Sequence, residues 1–177
     1  MRMTSKFPNR ITWAAGVLAP RSGERILEIG CGTGAAVDLI CRTEPQCRVT
    51  AIDRSAKMTE AASARNAVHV AAGIADVINA DLLDAELEEH SYDKIFLFNL
   101  NVFWMDPAAE MAAVKRLLAS GGRCFIFHQP PPGGDTTEYA AAFEKNLRQN
   151  GFNVVDILYA EMEPAPCVCV ISQLEAR

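Results

Sequence analysis

The chain has 177 residues, half of them apolar and 22% charged, with a formal net charge of −5. That length predicts one domain around one core, and the composition is that of a folded globule rather than a disordered segment. The acidic balance, with no basic cluster longer than a pair, argues against a nucleic-acid partner, and apolar runs such as 95–98 fall far short of the roughly 20 residues that cross a bilayer.

The first ten residues carry Arg2, Lys6 and Arg10 with no apolar stretch behind them, so no secretory signal is expected and a cytoplasmic location follows. A helix is predicted over 9–18, stopped by Pro20 and the turn residues Ser22 and Gly23. From there strands and helices alternate. Residues 25–29 form a short apolar strand, 30–34 a glycine loop and 35–42 a helix that ends before Pro45. A second strand over 48–52 carries Asp53 at its tip, and 55–72, rich in Ala, Met and Glu, reads as one long helix closed by Gly73.

Strands follow over 76–79 and 92–98, the latter apolar on both faces as a buried parallel strand requires. Residues 99–104 are expected to be loop. Asp106 is placed as the cap of the next helix, with Pro107 at its first position and Gly121 and Gly122 closing it. A fifth strand over 123–128, a Pro- and Gly-rich loop, and a helix over 136–149 come next. The tail holds two strand-like runs, 152–160 and 165–174, joined too closely for a crossover helix, so an antiparallel hairpin is predicted.

Six cysteines, Cys31, Cys41, Cys47, Cys124, Cys167 and Cys169, form no C-x-x-C pair, and a chain with this much core needs no disulfide scaffold. They read as free thiols, and no metal site is expected.

The segment Ile26-Leu27-Glu28-Ile29-Gly30-Cys31-Gly32-Thr33-Gly34 runs a strand into a glycine loop that opens a helix. Such a loop lets a ligand approach the backbone closely. Glycine spacing alone is shared by many nucleotide sites, but here Glu28 stands two residues before the first glycine. This pattern resembles motif I of the class I S-adenosylmethionine (SAM)-dependent methyltransferases. Asp53 at the second strand tip, Asn79-Ala80-Asp81 after the third, Tyr92-Asp93-Lys94-Ile95-Phe96 leading to Asn99, and Leu117 to Arg123 extend the resemblance over about residues 23–174. The family often has Pro where Ser120 stands.

The resemblance implies a three-layer Rossmann-like sandwich with a mostly parallel seven-stranded sheet, order 3-2-1-4-5-7-6, and an antiparallel seventh strand. Residues 1–22 would then be a helical cap on that core. It implies SAM as cofactor, held by Glu28, Gly30, Cys31, Gly32, Gly34, Asp53, Arg54, Met58, Asp81, Leu82 and Asn99. Asp53 would accept from the ribose hydroxyls or, alternatively, cap the next helix. Asp81 would lie by the adenine amino group or cap a turn. Met58 would pack on the adenine or in the core, and Cys31 fills a variable loop position. Arg10 and Trp13 could cover the cofactor, with Arg10 available for its carboxylate.

Ligands of open parallel sheets gather at the carboxyl ends of the strands. Asn101, Phe103 and Trp104 after the fourth strand are therefore candidate substrate residues, with core packing the alternative for the aromatic pair. His128, ending the fifth strand, is the candidate general base, because imidazole titrates near neutrality. The expected activity is methyl transfer to an oxygen, nitrogen or sulfur of a small molecule. The competing readings are a protein-directed methyltransferase, a non-catalytic SAM-binding module and, against the glycine spacing, an NAD(P) reductase. Nothing in the sequence sets the oligomeric state.

Overall fold

A computed structural model describes residues 7–175, so Arg2 and Lys6 of the basic N-terminal stretch lie outside the described residues. The elements in chain order are α1 (Asn9–Leu18), β1 (Arg25–Ile29), α2 (Ala35–Thr43), β2 (Arg48–Asp53), α3 (Ala56–Arg65), α4 (Ala67–Ala71) and β3 (Ala75–Asn79). They continue with β4 (Tyr92–Phe98), α5 (Val102–Met105), α6 (Ala108–Leu117), β5 (Leu118–His128), α7 (Thr136–Gln149), β6 (Phe152–Ala160) and β7 (Cys167–Leu174).

All seven strands join one sheet in the order β3-β2-β1-β4-β5-β7-β6. Pairing is parallel from β3 through β5, and β7 runs against both β5 and β6. The sandwich order and the reversed seventh strand match the expectation. The reversal follows from connection length: a parallel crossover needs a dozen or more residues, and the six between β6 and β7 permit only an antiparallel pair.

Side-chain alternation splits the core into two layers, since successive strand residues face opposite sides. Ile26, Phe96, Phe125 and Phe127 pack with Leu18 of α1 and Val37, Ile40 and Cys41 of α2. Leu27, Ile95, Leu97 and Ile126 pack with Met111, Val114 and Leu117 of α6 and Phe143 and Leu147 of α7. Glu28 shares the side of Ile26, so a carboxylate sits at the end of a buried apolar row. All six cysteines are free and buried, as expected of small core fillers.

Four local expectations need correction. The long helix over 55–72 is broken into α3 and α4 at Asn66, which is fully buried and turns its amide onto the glycine loop. Residues 102–105 are a short helix, not loop. Asp106 does not cap α6: the helix starts at Ala108, its N-cap is Pro107, and no side-chain cap bond forms, because a proline side chain has no acceptor, while its carbonyl accepts from Met111 N–H at 2.7 Å. β5 begins at Leu118, five residues early, because Gly121 takes a positive φ of 75° and Gly122 lies where a Cβ would stand 2.8 Å from the Tyr92 carbonyl. That close approach lets the chain pair with β4 across an irregular register between Tyr92 and Lys94.

Candidate functional site

Two cavities open at the carboxyl ends of β1, β2 and β4. The first, about 640 Å³, is walled by Pro8, Arg10 and Ile11 at the start of α1, by Glu28, and by the loop from Gly30 to Thr33. The second, about 470 Å³, lies over β2 and β3, with Asp53, Arg54, Asp81 and Leu82 on one side and Asn101, Val102 and Phe103 on the other. Gly30 and Asn99 line both, so together they form one elongated cleft across the end of β1.

The three loop glycines do different work. A Cβ on Gly34 would stand 2.5 Å from Asn66 Nδ2 and 2.9 Å from Ala62 Cβ, so Gly34 lets α3 approach the loop. A Cβ on Gly30 would meet Leu100 at 2.8 Å. Gly32 has φ +52° and nothing within 4 Å of its absent Cβ, which leaves free space on the cavity side. Only Gly32 keeps room for something other than protein.

Asp53 fixes the loop from the next strand: one carboxylate oxygen accepts from Gly32 N–H at 2.9 Å and the other from Ser55 N–H at 2.9 Å. Each oxygen retains a lone pair for a further donor. Ser55, not Asp53, caps α3, its hydroxyl accepting from Met58 N–H. Asp81 closes a turn by accepting from Leu83 N–H at 3.1 Å, and Leu82 beside it is buried. Asn99 takes φ +57°, and its side-chain oxygen accepts from Gln129 N–H at 2.8 Å, tying the end of β4 to the residue after β5.

Glu28 is only 5% exposed, and its Oε2 is buried with no hydrogen-bond partner. Burial, and then the charge of Asp53, push its carboxyl up from 4.5 to about 8. The neighbouring Cys31 thiol is pushed up to about 12, by burial first and then by the charges of Glu28 and Asp53. Cys31 is thus a thiol, not a thiolate, at neutral pH, and serves as a loop filler rather than a nucleophile. Arg10 lays its guanidinium 5.9 Å from the centre of the Phe98 ring at the mouth of the first cavity.

Of the residues singled out in the sequence, Glu28, Gly30, Cys31, Gly32, Asp53, Arg54, Asp81, Leu82, Asn99, Asn101 and Phe103 line the cleft. Gly34 and Met58 do not: Gly34 packs against α3, and Met58 lies half-buried on the first turn of that helix. Phe103 is fully buried in the α6–α7 layer. Trp13 stacks edge-on to Phe127 at 5.6 Å, behind the cleft rather than in its wall.

Trp104 and His128 line neither cavity. His128 is on the α7 side of β5, its ring 4.1 Å from that of Tyr139 and 5.8 Å from that of Phe143. Trp104 meets the other side of Tyr139 edge-on at 5.4 Å. Both His128 ring nitrogens and Trp104 Nε1 are buried without partners, and burial pushes the imidazole below its ordinary value, so the ring is neutral.

Sequence reading missed Asn66, whose Nδ2 donates to the Gly34 carbonyl at 3.0 Å and to the Ala62 carbonyl at 2.9 Å. An Asn inside a run of strong helix formers was the available signal. It also missed Phe98 and Leu100, which wall the cleft only because β4 lies beside β1.

The sheet order, the reversed β7 and a ligand cleft over β1 define the class I methyltransferase fold. A family profile described as Methyltransferase domain matches residues 26–122. The O-methyltransferase cnsE of Penicillium expansum is 29% identical over an alignment of 165 positions that covers 84% of this chain and 59% of that protein. The methyltransferase YdaC of Bacillus subtilis strain 168 is 25% identical over 93% of this chain and 91% of its own length. A crystal structure of a SAM dependent methyltransferase from Aquifex aeolicus is similar in fold, with a TM-score of 0.75 over 93% of this chain and 89% of that one at 17% identity. The chain thus spans about three fifths of cnsE and most of YdaC. It belongs to the methyltransferase-domain family, in the class I SAM-dependent group.

Proposed function

We propose that the protein binds SAM in the joined cleft and transfers its methyl group to an oxygen, nitrogen or sulfur of a small molecule. The observation that carries this reading is the cleft itself: two cavities meeting at Gly30 and Asn99, with a partnerless carboxylate at one end and Asp53 at the other. The residues present fit the cofactor. Gly32 leaves open space beside the loop, Asp53 has lone pairs for two ribose hydroxyls, and Asp81 and Leu82 border the place for an adenine. Glu28 and Arg10 flank the first cavity, where the amino-acid portion of the cofactor finds a carboxyl group and a guanidinium.

When bound, the cofactor supplies a methyl group activated by its sulfonium charge. The protein's task is then chiefly positioning, which by itself supplies much of a displacement rate. The acceptor enters beside Asn99 and Asn101 at the ends of β4 and β5. A nucleophile that arrives protonated needs a base, and neutral His128, with a free lone pair, is the residue assigned to it. For His128 to reach the cleft, α5 and Trp104 must shift away from α7.

The similarity to cnsE, an O-methyltransferase, supports an oxygen as one of these acceptors. No helix among the described residues is long and apolar enough to cross a membrane, and the free thiols suit a reducing cytoplasm. Titration calorimetry with SAM, S-adenosylhomocysteine and NAD tests the cofactor. A screen of phenols, amines, thiols and carboxylates for S-adenosylhomocysteine production tests the acceptor. Binding of NAD in place of SAM would overturn the reading, and SAM binding with no turnover across the screen would favour the non-catalytic alternative.

A further inference from the structure

Glu28 is the most unusual polar group in the molecule. Its residue is 95% buried by difference from its 5% exposure, one oxygen has no partner, and no ion pair to it forms among the described residues. An unpaired carboxylate in such a place is costly, and the usual resolution is to hold a proton. Resting on the SAM reading above, we propose that Glu28 is a neutral carboxylic acid in the free protein and becomes the carboxylate partner of the cofactor's cationic amino-acid end, so that binding expels one proton.

The surroundings determine this from every side. β1 neighbours Phe96 on β4 and Ala51 on β2, neither of them polar in side chain, at the Glu28 register. The charge that acts on it is that of Asp53 at the end of β2, of the same sign, and its carboxylate is committed to Gly32 and Ser55 N–H groups. Cys31 beside it is a neutral thiol. From α1, Arg10 lines the same cavity, and from α2 and α3 so do Asp38, Arg42 and Arg65. Asp38 and Arg42 are paired with each other at 2.6 Å, and His69 of α4 completes that group at 3.1 Å from Asp38. None of these cations hydrogen-bonds Glu28. The carboxyl therefore sits near 8, held up by burial and by Asp53.

A ligand ammonium placed in this cavity supplies the missing opposite charge, and an opposite charge within several ångströms lowers a carboxyl pKa. The O–H proton of Glu28 goes to buffer and the lone pair stays on the carboxylate. Linkage then fixes the sign. Below the free value of about 8, affinity rises as pH rises, by up to tenfold per pH unit, and levels off near 8. Above that, the ligand's own α-amino group, ordinarily near 8, begins to lose the charge that Glu28 recognises. An affinity maximum near pH 8 is the signature.

The test is calorimetry with S-adenosylhomocysteine and with SAM at pH 6.0 to 7.5, in buffers of different ionisation enthalpy. The wild-type protein should release most of one proton near pH 7 with either ligand, because both carry the ammonium, and less toward pH 6 and toward pH 8. Glu28→Gln, which copies the neutral acid in shape, should release none over this range and bind with nearly pH-independent affinity. The two affinity curves should converge near pH 6 and part by about tenfold or more at pH 7.5. Binding without proton release in the wild type, or undiminished release in Glu28→Gln, overturns the inference while leaving the SAM reading intact. If neither ligand binds the wild-type protein, both fall together. The wild-type buffer series decides the matter even if the variant does not fold.

Discussion

Over β1 and β2 the carboxyl edge of the sheet is open, with Gly32 facing empty space and Glu28 and Asp53 lining two cavities. Over β5 the same edge is closed, and α5 and α7 bury His128 and Trp104 against Tyr139. Both regions keep polar atoms out of water without partners, a state that costs roughly 1–3 kcal/mol per group. The first does so beside a ready cavity, the second inside packed aromatic rings. The contrast teaches that the end proposed for the cofactor is already open, whereas the role proposed for His128 at the other end requires local opening. The buried Asn146 amide, which donates to the Phe103 carbonyl at 3.1 Å, is one bond that such opening has to break.

The largest expected effect lies at the open end. Gly32→Val should abolish SAM and S-adenosylhomocysteine binding in calorimetry, because a branched side chain fills the only unoccupied side of the loop and is strained at φ +52°. The variant should still melt cooperatively, and normal binding would show that the cleft lies elsewhere.

At the closed end, His128→Phe should lower turnover of an acceptor found by screening by about 10² to 10⁴-fold, the usual contribution of a general base. Affinity for S-adenosylhomocysteine should stay within about twofold, since His128 does not line the cleft. Equal losses in turnover and in cofactor affinity would dissolve the distinction between the two regions.

Asp53→Ala should weaken S-adenosylhomocysteine by roughly tenfold to hundredfold, given that hydrogen bonds to charged groups contribute about 1.5–3 kcal/mol. Part of that loss comes through Gly32, whose N–H loses its acceptor. Asp53→Asn should recover part of the affinity, because the amide oxygen can still accept.

The smallest effect is on stability. A carboxyl raised from 4.5 to about 8 on folding binds more protons in the folded than in the unfolded state across that window. Stability therefore falls as pH rises from about 4.5 to 8. Glu28→Gln removes the penalty and should raise stability at pH 7.5 by about 1–3 kcal/mol, with the gap closing toward pH 5. Thermal melts of both proteins at the two pH values check this. A variant less stable than wild type at pH 7.5 would mean that the buried carboxylate has a partner in solution.

The sequence by itself determined the alternation of strands and helices and the hairpin at the tail, while its resemblance to the class I methyltransferases supplied the strand order and the cofactor candidates. The first two rest on local signals: residue periodicity, and a tail too short for a crossover. It marked His128 and Trp104 as residues of the active edge without revealing that His128 is buried and Trp104 is partly buried beside it, since that depends on α5 folding as a helix against α7. Asn66 stood out only as an Asn within a run of strong helix formers, and its role likewise depends on a tertiary contact. Its effect is to break a helix that local propensity favours, and what favours the break is a hydrogen bond to the Gly34 carbonyl 32 residues away. Glu28 shows the division most directly. Its motif marked it as a candidate cofactor residue, but its protonation depends on the neighbours that the sheet assembles: an apolar row on β1, apolar partners on β2 and β4, and the charge of Asp53. A protonation state is set by solvation and by charges close in space, and only the tertiary structure decides those.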